Sequence, residues 1–106
     1  MKYEMEGIGA KLLVDDTGVR LTNTAYKEER YIPFGSVLAV AVRQPSLGVF
    51  GYIFFLTAGA YDPLMNQTFA KPVPGLLQFK GDELYQTALE VKAAVEPIIQ
   101  RAGQGR

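Results

Sequence analysis

Leu84, Ala88, Val91, Val95 and Ile98 recur at alternating spacings of four and three residues, with Tyr85, Leu89 and Ile99 widening the stripe. That period predicts an amphipathic helix, and such a helix must lay one side on an apolar partner. Glu83, Gln86, Glu90 and Lys92 fall mostly off the stripe and are expected in water. Asp82 is placed to act as the N-cap, and Gly81 eases the corner before it. Pro97 cannot donate to the Ala93 carbonyl, so it is expected to kink or end the regular helix. Residues 102–106 then read as a disordered tail, and residues 1–101 as one domain.

The segments before the helix alternate with a period of two or run apolar between turn residues, as strands do. Tyr3 and Met5 oppose Lys2, Glu4 and Glu6, and after a bend at Gly7 and Gly9, Ile8, Ala10, Leu12 and Val14 share a face. "DDTG" at Asp15 to Gly18 supplies turn residues before a strand that begins at Val19, and Glu28 to Ile32 reads as the returning strand after a second turn. "PFGS" turns the chain into Val37 to Val42, where Leu38, Val40 and Val42 are expected on one face and Val37, Ala39 and Ala41 on the other. "QPSLG" leads into Val49 to Thr57, which carries bulk on both faces and is expected to be covered on both sides. Ala58 to Gly75, with three prolines, reads as a long loop that includes a short strand near Thr68 and Phe69. Leu76 to Lys80 is the expected last strand, which makes about seven in a mostly β (α+β) chain.

Composition narrows the chemistry. At 106 residues the chain suits a single core, burying roughly two-thirds of what it exposes unfolded. Cysteine and histidine are absent, which removes disulfides, thiolate ligands, the usual general base near neutral pH and every Ser-His arrangement. The adjacent carboxylates Asp15 with Asp16, Glu28 with Glu29 and Asp82 with Glu83 sit at turns, exposed strand or helix start, where solvation or capping accounts for them. "DDTG" offers too few alternating oxygens for a calcium loop, and "GIG" lacks the third glycine of a dinucleotide fingerprint. The expectation is a non-enzyme without metal or cofactor.

Eleven basic and eleven acidic residues balance, so the long-range attraction that drives nucleic-acid binding is missing. "GVFGYIFFLTAGAY" carries no cations among its aromatics, unlike a base-stacking platform. Leu47 to Tyr61 holds fifteen uncharged residues, short of the roughly 20 a spanning helix needs. The first residues hold Lys2, Glu4 and Glu6 and no secretion-signal core, so a cytoplasmic location is the default expectation.

From Ile32 to Ala70 only Arg43 and Asp62 are charged. A half-exposed strand shows a polar outer face, and the two central strands have none. The C-terminal helix, the long loop or a partner should cover them. The partner reading nominates Val37, Ala39, Ala41, Val49, Ile53 and Phe55 as an interface, used for self-association or to dock a protein segment. A binder of lipid or another apolar small molecule is the alternative.

"GAKLLVDDTGVRL" resembles the opening hairpin of bacterial pleckstrin-homology-like domains, "YIPFGSVLAVAV" their isoleucine-proline turn into a central strand, and "PSLGVFGYIFFL" the next hairpin. "LLQFKGDELYQTALEVKAAVEPI" resembles their last strand and closing helix. The resemblance implies a small β-barrel closed by one C-terminal helix, and an interaction module rather than an activity. Eukaryotic members often bind phosphoinositides around the first hairpin loop; here Lys11 and Arg20 flank Asp15 and Asp16, which repel an anionic headgroup.

Overall fold

The computed structural model describes residues 2–24, 28–57 and 75–104. Within them seven strands precede one helix: β1 Tyr3–Glu6, β2 Ala10–Val14, β3 Gly18–Asn23, β4 Glu28–Pro33, β5 Val37–Arg43, β6 Gly51–Thr57, β7 Leu76–Phe79 and α1 Asp82–Gln104. A 3-10 turn, Phe34–Ser36, links β4 to β5. The strand expected near Thr68 and Phe69 lies outside the described residues.

The strands form two antiparallel sheets, ordered β1-β2-β3-β4 and β5-β6-β7. Among the described residues these remain separate ladders rather than a closed barrel. They meet where the Ile8 N–H donates to the Gln78 carbonyl at 2.8 Å. Gly7 makes that approach possible, since a Cβ there would strike the Gln78 carbonyl and the Leu77 side chain.

Period-two alternation places the core. In the first sheet Met5 lies opposite Leu12 and Leu12 opposite Leu21, while Val14 faces Val19 and Val19 faces Ile32. All six are buried. In the second, Val40 pairs with Phe55, Val42 with Ile53, and Ile53 with Leu77. Ala88, Val91 and Val95 of α1 complete the same cluster, with Leu84, Tyr85, Ile98 and Ile99 packed at its margin. Full burial of each valine contributes about 1.5–3 kcal/mol, so the helix is held by its stripe rather than by propensity.

Two local expectations are corrected, and of the two outcomes expected at Pro97 the ending of the helix is excluded. The Gly81 carbonyl accepts from the Tyr85 N–H, so Gly81, with φ of 87°, holds the cap position and Asp82 is the first helical residue. Pro97 lies inside α1, which continues to Gln104. Pro97 faces solvent, where a lost backbone hydrogen bond is cheapest, and Ile98 and Ile99 beyond it pack on the core. In β5 the register shifts between Val37 and Ala39, so Leu38 forms a bulge and Val37 joins Val40 on the buried side.

Candidate functional site

A sheet edge exposes unpaired N–H and C=O groups that can template another strand, and proteins block such edges with charge, proline or brevity. Among the described residues the two sheets end in four edge strands: β1, β4, β5 and β7. Glu4 and Glu6 are exposed on β1, and β4 carries Glu28, Glu29, Arg30 and a terminal Pro33. β7 has 4 residues and already receives the Ile8 N–H. Among the described residues β5, which runs for 7 residues, carries neither charge nor proline from Val37 to Val42 and is interrupted only by the bulge at Leu38.

Its accessible surface is apolar and small. Leu38 is 52% exposed on the bulge, and Ala39 and Ala41 are exposed beside it. Leu38, Ala39 and Val40 line one wall of a groove of about 200 Å³, whose other wall is α1 through Lys92, Glu96, Ile99 and Gln100. Lys92 Nζ lies 3.6 Å from Glu96 Oε1, with both side chains partly exposed. The groove therefore offers a strand edge, an apolar floor and one charge of each sign.

Arg43 closes the end of the edge. Its Nη2 donates to the Phe50 carbonyl at 2.8 Å, its guanidinium lies 4.7 Å from the Tyr52 ring centre, and its buried Nε has no hydrogen-bond partner. The charge is thereby drawn over the β5–β6 hairpin and off the groove. At that hairpin's tip Ser46 and Val49 exchange backbone hydrogen bonds around Leu47 and Gly48. Leu47 is fully exposed, with Val49 and Phe50 also largely open.

The six residues nominated from sequence do not form one surface. Val37, Ile53 and Phe55 are buried in the core, whereas Ala39 and Ala41 are exposed on β5 and Val49 on the hairpin tip. The β6 residues sit inward because Phe55 pairs with Val40 and Ile53 with Val42, on the side that α1 covers. On the opposite β6 face Phe54, between Ala41 and Leu76, is only 4% exposed, with Tyr52 and Leu56 half-buried beside it. The most exposed apolar positions of the central pair of strands therefore lie on β5. Leu38, Lys92 and Glu96 were missed because neither the bulge nor the lateral position of α1 has a local sequence signal.

Elsewhere the polar groups serve structure. Asp15 Oδ1 accepts from the Thr17 hydroxyl, the Thr17 N–H and the Gly18 N–H at 2.7, 2.8 and 3.0 Å. These bonds, the Thr17 hydroxyl first, hold the Asp15 carboxyl below the ordinary aspartate range, with Arg20 adding to the effect. Among the described residues no group of three or more acidic side chains is placed to hold a metal ion, and no helix is long and apolar enough to cross a membrane.

No family model matches the chain, and neither the curated proteins nor the solved structures provide a match.

Proposed function

We propose that this chain is a non-enzymatic interaction module that takes an extended polypeptide strand along the open edge of β5. One observation carries the reading: among the described residues, β5 is the sheet edge that is long, uncharged and without proline over Val37 to Val42. Strand addition matches main-chain hydrogen bonds to the exposed edge, and pockets beside it select side chains. The groove between β5 and α1 is such a pocket. A pleckstrin-homology-like barrel is the fold assignment in keeping with this reading; seven strands followed by one helix, and the Ile8–Gln78 contact between the sheets, support it.

Titration of dilute protein with an end-blocked, uncharged Val-Thr octapeptide, followed through backbone amide resonances, tests strand docking. Shifts should concentrate at Val37–Arg43 and disappear in Ala39→Lys, a charge placed on the edge. Shifts scattered over both sheets, or none at β5, would reject the reading.

An apolar small molecule or lipid is the second reading, and the β5–β6 hairpin favours it. Val49, Phe50 and Lys80 border a groove of about 340 Å³ beside the exposed Leu47. Native mass spectrometry of gently purified protein would show retained ligand, lost in Phe50→Ser. An empty protein would count against it.

A further inference from the structure

Resting on the docking reading above, we infer that the strand received by β5 is β5 of a second copy, paired antiparallel across a two-fold axis near Val40. The residues are self-complementary in that arrangement. Ala39 of each copy meets Ala41 of the other, so small side chains face small ones where two sheets must approach. The one charged residue of β5, Arg43, stands three residues from the axis, beyond the stretch paired about Val40 and at the opposite end of the seam from the other Arg43. Like charges therefore never meet along the seam.

The flanking helix adds the second argument. A two-fold axis perpendicular to the joined sheet keeps both α1 helices on one side and points them in opposite directions. Lys92 and Glu96, one turn apart and lining the groove against β5, are then exchanged between copies. Lys92 of each copy faces Glu96 of the other, and two crossed ion pairs form from residues that otherwise pair only within their own helix. The chain's balanced charge leaves no net repulsion for these contacts to overcome. The product is a sheet ordered β7-β6-β5-β5-β6-β7, in which the two β5 edges cover each other.

Sedimentation equilibrium of the full chain tests this with two charge variants. The unaltered protein should form a dimer. Lys92→Glu places two carboxylates opposite two carboxylates, and Glu96→Lys places two ammonium groups opposite two, so each variant alone should dimerise about ten-fold more weakly. Mixed in equal amounts, the two should form a heterodimer as tight as the original, because every crossed pair is again opposite in sign. Loss of fold cannot produce that rescue. A dimer indifferent to both substitutions, or a mixture that stays monomeric, would overturn the two-fold arrangement. A chain that remains a monomer up to about 1 mM would overturn self-pairing, while peptide-induced shifts at β5 would still uphold strand docking.

Discussion

The Tyr31 hydroxyl donates to Thr17 Oγ1 at 2.8 Å, tying β4 to the turn between β2 and β3. The Thr17 hydroxyl in turn donates to Asp15 Oδ1, and Arg20 lies over the Tyr31 ring while its guanidinium approaches Glu29. A solvent-facing chain of side chains thus pins the β2–β3 hairpin to β4. The turn is a structural device, and the carboxylate that sequence alone could assign to solvation or to chemistry is occupied by its own backbone.

The pH response of that turn follows from the direction of the Asp15 shift. Its folded-state pKa is depressed, so its contribution is complete above the unfolded aspartate value of about 3.9 and is lost as pH falls through the folded value. Asp15→Ala should lower the melting temperature slightly at pH 7. The gap between variant and parent should close under acid. A gap that widens as pH falls would contradict the hydrogen-bonding scheme.

Phe55 and Leu38 are opposite cases within one hairpin. Phe55 is fully buried, and Phe55→Ala should cost about 3–5 kcal/mol in urea unfolding. Leu38 is half exposed, and Leu38→Ala should change monomer stability by no more than about 0.5 kcal/mol. Equal losses would mean that the bulge at Leu38 is misplaced.

Pro97 interrupts the hydrogen-bond ladder of α1 from its wet side. Pro97→Ala restores the N–H to the Ala93 carbonyl and should stabilise the chain, by up to about 3 kcal/mol. Thermal unfolding reads the gain directly. Unchanged or reduced stability would show that Ile98 and Ile99 depend on a bend at this point.

Much of this architecture was legible one residue at a time. Alternation about Tyr3 and Met5 marked β1, "DDTG" marked the turn from β2 to β3, and the stripe from Leu84 to Ile98 marked α1 with the correct buried side. The candidate surface was legible only as an excess of apolar residues in two strands. Ile53 and Phe55 were assigned outward because a strand with bulk on both faces does not announce which face meets the helix. The extra residue at Leu38 then reversed the face of Val37, an outcome set by pairing with β6 rather than by any turn signal.

The sequence by itself determined the elements, because strand and helix periods are properties of neighbouring residues. It also determined the absence of thiol and imidazole chemistry. Only the tertiary structure decided that β5 stands at an edge, that Phe54 is covered while Ala39 and Ala41 are not, and that Lys92 and Glu96 border the same groove. Edge position and coverage arise from contacts between segments far apart in the chain, and local pattern carries no record of which segment will stand beside which.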